Sequence, residues 1–111
     1  MARVRKRETA KRDLIAQWLW YAENAGIEVA DKFLQAADAT LSLLATQPES
    51  GAPVFVHELE LQGMRRMPVS GGFEKILLFY FPLNDGVELV RVIHGGRDLE
   101  WLLSDGFFDE Q

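Results

Sequence analysis

The spacing of apolar residues changes once along the chain, and this change restricts the fold more than any other feature. From Thr9 to Thr46 apolar residues recur every three or four positions, as they do along one side of an α-helix. From Met64 to His94 they alternate with the period of two that is typical of β-strands. Helices grouped before strands are typical of an α+β protein, in which helices pack against a mainly antiparallel sheet.

Two helices are predicted in the first region, and Gly26 separates them. From Thr9 the apolar positions of the first helix are Leu14, Trp18, Tyr21 or Ala22, and Ala25. The second helix extends from about Glu28 to Thr46 and carries one apolar stripe, formed by Ala30, Phe33, Leu34, Ala37, Leu41 and Leu44. Because only about two residues separate the helices, they should form an antiparallel hairpin whose apolar sides face the core.

After the helices, the alternating pattern and two glycine-containing turns predict three strands, at residues 64–70, 73–83 and 87–94. A short strand is predicted at residues 2–8 and a loop at residues 49–63. Gly95 and Gly96 permit a sharp turn into a short final helix from about Asp98 to Ser104. The predicted fold is a βααβββ sandwich, with an antiparallel α-helical hairpin on one face of the sheet and a short C-terminal helix.

Both faces of this predicted sheet are largely apolar. Strict alternation places Ile76, Leu78 and Tyr80 on one face and Leu77, Phe79 and Phe81 on the other. In the last strand it places Arg91 with Leu89 and Ile93, and His94 with Val90 and Val92. One helical layer covers only one face. The second face should therefore be covered by a partner or by the C-terminal apolar residues, which are Trp101, Leu102, Leu103, Phe107 and Phe108.

Composition narrows the functional classes. A length of 111 residues suits a single domain over residues 1–111, and the absence of Cys excludes disulfides and thiol catalysis. The two histidines, His57 and His94, are far apart, so no zinc-ligand spacing exists and neither a metal nor another cofactor is expected. No apolar run reaches the length of a membrane span, and no secretory signal follows the basic start. We therefore expect a cytoplasmic protein without membrane contact.

Charge is distributed unevenly. Residues 1–12 carry six basic groups and one acid, whereas the other residues carry six basic and sixteen acidic groups. The basic start is typical of an edge strand and a first helical turn exposed to solvent. It could instead contact an acidic partner or nucleic acid. The acidic balance of the whole chain, with a net charge of −5, argues against tight and unspecific nucleic-acid binding.

Four motifs together resemble the ParE branch of the RelE/ParE toxin superfamily of bacterial type II toxin–antitoxin modules. They are RDL on the first helix, GMRR entering the sheet, FYF in the next strand and RVIHGGRD leaving the last strand. The resemblance extends over residues 3–103 and implies the same βααβββ fold. It also implies a toxin that is neutralised by a ParD-like antitoxin in a hetero-oligomer.

The resemblance implies two alternative activities. ParE-type toxins poison DNA gyrase, whereas RelE-type toxins cut messenger RNA on the ribosome with Lys and Arg side chains and often a C-terminal Tyr. The C-terminal residues 104–111 of this chain are acidic and contain no Tyr, which favours the gyrase inhibitor, a binding protein without catalytic residues. A ribonuclease would use Arg65, Arg66, Arg91, Tyr80, His94 and Arg97. A third possibility is a member that binds its antitoxin without poisoning any target.

The residues proposed to bind a partner are Arg65, Arg66, Arg91, Arg97, Trp101, Phe107 and Phe108. Each also has a structural interpretation. Asp98 could cap the last helix while Arg97 pairs with an acid of the first helix such as Asp13. An arginine on an apolar face, such as Arg91, needs a partner for its five donors. His94 is more typical of a satisfied, partly buried histidine than of a general base.

Overall fold

The computed structural model describes residues 2–96, which form two helices packed on a five-stranded sheet. The elements in chain order are β1 (Arg3–Lys6), α1 (Glu8–Ala25), α2 (Ile27–Thr46), β2 (Ala52–Pro53), β3 (Arg65–Pro68), β4 (Ile76–Leu83) and β5 (Gly86–His94). The strand order is β1-β5-β4-β3-β2, and all neighbours are antiparallel except β1 and β5, which are parallel. The predicted α+β sandwich is confirmed. The predicted helix from Asp98 to Ser104 lies outside the described residues.

The helical hairpin covers one face of the sheet, which we call the inner face. Gly26 separates the helices with a φ of 98°, a value that glycine adopts without strain. The predicted stripe of α2 is buried apart from Leu34, which is partly buried, and it packs with Ile76, Leu78 and Tyr80 of β4. The α1 stripe is less regular, because Leu14 is buried whereas Ala25 is exposed.

A β-bulge interrupts the pairing of β4 with β5. Phe79 pairs with Arg91 and Tyr80 with Leu89, so Val90 is an extra residue in β5. Leu89 and Val92 consequently pack in the inner core, whereas Val90 and Ile93 pack in a second cluster. The expectation of strict alternation, with Leu89 and Ile93 on one face and Val90 and Val92 on the other, was therefore wrong.

The second cluster lies on the outer face of the sheet, and we call it the outer cluster. It contains Phe79, Val90 and Ile93 of the sheet together with Leu61 and Met64. The last two lie between α2 and β3: Leu61 is in the stretch 49–63 that was predicted as a loop with at most one turn, and Met64 was predicted to begin the next strand. This region forms β2 and two short 3-10 turns, Pro48–Ser50 and Leu59–Leu61. A segment of the chain other than the C-terminus thus contributes to the cover of the second face.

We expect the substitution Gly86→Ala to detach β1 from the sheet. A Cβ atom at Gly86 would overlap the backbone of Arg3, its partner in the parallel pairing. The free energy of unfolding should fall by about 3 kcal/mol, the upper part of the range for overpacking. Urea denaturation measures this loss.

Gly95→Ala is the matched control, because a Cβ there meets only ordinary contacts, the nearest being the Lys75 carbonyl oxygen at 3.4 Å. Equal stability of the two variants would show that the close approach of β1 to Gly86 contributes nothing.

Candidate functional site

Arg65 and Tyr80, two predicted functional residues, hold the turn that follows α2. They are direct partners in the β3–β4 pairing. The Tyr80 hydroxyl donates to the Pro48 carbonyl at 2.7 Å and accepts from the Gly51 N–H at 2.9 Å. An Arg65 Nη1 group donates to the Gly51 carbonyl at 2.6 Å and to that of Glu49 at 3.2 Å. Four hydrogen bonds thus fix this turn to the sheet.

The environment of Tyr80 keeps its hydroxyl protonated. The side chain is fully buried, and this burial raises the pKa of Tyr80 above its ordinary value of 10.0. The Gly51 N–H and the charge of Arg65 act in the opposite direction but are weaker. A buried hydroxyl that already donates and accepts a hydrogen bond is poorly placed to transfer a proton to an external substrate.

Arg91 forms a buried ion pair with Asp13 of α1. The Arg91 Nε donates to Asp13 Oδ2 at 2.8 Å and its Nη2 donates to Oδ1 at 3.3 Å. Asp13 Oδ2 also accepts the Val92 backbone N–H at 2.9 Å. The expectation that Arg91 requires a polar partner is met by this carboxylate. Asp13 was also suggested as an ion-pair partner of Arg97, and Arg97 lies outside the described residues.

The other predicted residues are dispersed. Arg66 is exposed, and because it pairs with Phe79 it lies on the outer face. His94 is half-buried, pairs with Ile76 and lies 6.4 Å from the Trp20 ring, measured between ring centroids. Within the part of the chain that the structure describes, no open cluster of Arg, Tyr and His forms. The predicted partner-binding residues Trp101, Phe107 and Phe108 lie outside that part.

Two surfaces of the described chain expose large apolar side chains that the sequence analysis missed. Phe55 and Leu59, between β2 and β3, are 94% and 83% exposed. On α1, Ile15 and Leu19 are 61% and 49% exposed and are separated by one helical turn. The sequence has apolar residues at 54–56, 59 and 61, but the stretch was too short and too interrupted to be assigned to a face.

The basic N-terminal segment is largely neutralised by ion pairs. Arg3 pairs with Asp85, Lys6 with Asp38, Arg7 with Glu88, and Lys11 with Glu8. Arg7 also lies over the ring of Phe81, with 5.7 Å from its guanidinium carbon to the ring centroid. β1 forms an edge of the sheet, as predicted. These pairs support the interpretation of this segment as a charged edge strand.

Neither a metal site nor a membrane span is found in residues 2–96. No group of three or more His, Asp or Glu side chains lies close enough to hold a metal ion there. Neither of the two helices is long and apolar enough to cross a membrane.

The side chains that were candidates for catalysis are thus engaged internally, whereas apolar side chains are exposed on α1 and between β2 and β3. The model of the family described as "ParE toxin of type II toxin-antitoxin system, parDE" matches residues 4–99. The chain therefore belongs to the ParE toxin family of type II toxin–antitoxin systems. No sequence among the curated proteins matches it.

A solved structure has the same fold. A chain of the "Chromosomal ParDE TA system from P. aeruginosa" superposes with a TM-score of 0.66 and 18% sequence identity. The match covers 85% of this chain and 96% of that one.

We expect Asp13→Ala to destabilise the protein by about 3–5 kcal/mol, since it leaves the buried Arg91 without its carboxylate partner. The control is Asp38→Ala, which removes a surface ion pair with Lys6 and should cost under about 1 kcal/mol. Urea denaturation gives both values. In the double variant Asp13→Leu/Arg91→Met only part of the loss should be recovered, because no charge stays buried but the Val92 N–H stays without its acceptor. Similar losses for Asp13→Ala and Asp38→Ala would contradict a structural role for the buried pair.

Tyr80→Phe should lower the free energy of unfolding by about 1–3 kcal/mol at neutral pH, since it removes two buried hydrogen bonds. The folded state holds the Tyr80 proton more tightly than the unfolded state, whose pKa is near 10.0. The extra stability of the wild type is therefore complete below that pKa and is lost as the pH rises through the higher pKa of the folded state.

Denaturation of the wild type and Tyr80→Phe at a series of pH values, up to about pH 11, tests this dependence. The other titrating groups cancel in the comparison. A stability difference that stays constant through pH 10.0 would show that the Tyr80 hydroxyl is not buried.

Proposed function

We propose that this protein is a toxin that inhibits DNA gyrase by binding to it and that catalyses no reaction of its own. The observation that carries the proposal is the internal use of Arg65, Tyr80 and Arg91, the groups a ribonuclease would need. Their hydrogen bonds hold the turn after α2 and join α1 to β5. Membership of the ParE family supports gyrase as the target.

The internal hydrogen bonds of Arg65, Tyr80 and Arg91 argue against RNA cleavage. Without a metal, cleavage requires side chains that activate the 2′-hydroxyl, stabilise the phosphorane and protonate the leaving group. Arg91 is 6% exposed and Tyr80 is fully buried, so neither side chain reaches a phosphate at the surface. Of the predicted groups in the described chain, Arg66 is exposed and His94 is half-buried, and they lie on β3 and β5 with β4 between them.

We propose that a ParD-like antitoxin neutralises the toxin in a cytoplasmic hetero-oligomer, and that residues 1–111 act as one toxin domain. A segment of the antitoxin that folds on binding would bury Ile15 and Leu19 of α1. Of the sheet arginines, Arg66 is free of intramolecular hydrogen bonds among those described and suits an acidic antitoxin side chain. We propose further contacts with the partner through Arg97, Trp101, Phe107 and Phe108.

The decisive experiment is a DNA supercoiling assay with purified gyrase and antitoxin-free toxin. We expect inhibition of supercoiling and accumulation of cleaved DNA, both abolished by prior addition of the antitoxin. A ribosome-programmed mRNA cleavage assay is run in parallel, and no cleavage is expected.

Full supercoiling activity at a large excess of folded toxin would refute gyrase inhibition. Cleavage of translated mRNA would favour the ribonuclease alternative, with Arg66 and His94 as candidate catalytic residues. No effect in either assay would leave a member that only binds its antitoxin.

A further inference from the structure

The segment from Val54 to Gln62 projects two large apolar side chains into solvent, and we call it the protruding loop. Phe55 is 94% exposed and Leu59 is 83% exposed, more than any other large apolar residue of the described chain. Burying a side chain of this size in a partner is worth roughly 1.5–3 kcal/mol. Burial of both side chains in a partner would therefore contribute substantially to the free energy of binding.

The protruding loop is held in place by its own hydrogen bonds. The Val54 N–H donates to the Met64 carbonyl at 2.9 Å, and the Gln62 side-chain amide donates to the Val56 carbonyl at 2.9 Å. Leu61 is buried in the outer cluster, and Val54 and Val56 pack at its margin. Alternate residues therefore anchor the loop while Phe55 and Leu59 point outward. Such pre-organisation lowers the entropic cost of binding.

The charge of the surrounding segment restricts the kind of partner. Residues 47–64 contain three acids, Glu49, Glu58 and Glu60, and neither Lys nor Arg. All three acids are exposed. The complementary surface is an apolar pocket with a rim of Lys and Arg, because like charges at a rim are unfavourable. Direct binding of nucleic acid to this loop is opposed by the same carboxylates.

We propose that the protruding loop is the element that docks the toxin on DNA gyrase, with Phe55 and Leu59 in an apolar pocket and the glutamates on a basic rim. This inference rests on the proposed function. An enzyme that holds DNA must present basic surface to the phosphates, which suits the acidic loop. The antitoxin is proposed above to cover Ile15 and Leu19 of α1, which leaves Phe55 and Leu59 available to the target.

The test compares binding of the full-length toxin and its variants to immobilised gyrase, with supercoiling inhibition as a second readout. Phe55→Ala/Leu59→Ala should weaken both by at least about tenfold, as expected when central apolar anchors are truncated. The matched control is Ile27→Ala/Leu43→Ala, which removes two apolar side chains of α2 that are 62% and 52% exposed. The control should bind like the wild type. Urea denaturation should show equal stability for both double variants.

Charge is tested separately with Glu58→Gln/Glu60→Gln. This variant should associate more slowly at low salt, and its binding should depend less on ionic strength than that of the wild type. Unchanged association and salt dependence would remove the basic rim from the proposal.

The outcomes separate this inference from the function on which it rests. If the wild type neither binds nor inhibits gyrase, the proposed function fails and the docking role fails with it. If the wild type inhibits and Phe55→Ala/Leu59→Ala inhibits equally, only the docking role is overturned. The docking role is also overturned if this variant keeps gyrase inhibition but escapes the antitoxin, or if sedimentation shows that the loop joins two toxin molecules.

Discussion

The carboxylate of Asp13 is the contact on which the relation between the helices and the sheet depends. β1 pairs only with residues Gly86 to Leu89 of β5, so the following part of β5 has no strand on that side. There, side chains of α1 bond the β5 backbone: Asp13 accepts the Val92 N–H, and Thr9 donates its hydroxyl to the Val90 carbonyl. A helix thus satisfies backbone groups that a strand would otherwise pair, and buried backbone groups require such partners.

The same contact determines what Arg91 can do. Because a β-bulge interrupts β5 at Val90, the Arg91 guanidinium is paired with Asp13 and not with an external anion. Tyr80 of β4 and Arg65 of β3 are similarly engaged with the turn after α2. The polar side chains of the sheet that were candidates for RNA cleavage therefore stabilise this fold.

Sequence patterns predicted those parts of the fold that depend on local periodicity. The stripe of α2, the break at Gly26 and the turn at residues 84–86 follow from neighbouring residues alone. The bulge was not predicted, although the alternation of β5 changes phase at Leu89 and Val90, because adjacent apolar residues are also expected in a strand buried on both faces. The sequence suggested Asp13 as a partner of Arg97. Its pairing with Arg91 was not predicted, since only the three-dimensional structure brings residues 13 and 91 together. The exposure of Phe55 was missed because the apolar stretch around it is too short to be assigned to a face.

Charge differs between the two edges of the sheet. The basic residues of the N-terminal segment lie at the β1 edge, whereas the acidic protruding loop follows β2 at the opposite edge, about 19 Å away across four strand spacings. Four basic groups of the N-terminal segment already pair with acids of the same chain. Binding RNA or DNA there would require those pairs to open, and few counterions would be released in return. A partner protein can instead bury apolar surface and leave the pairs intact.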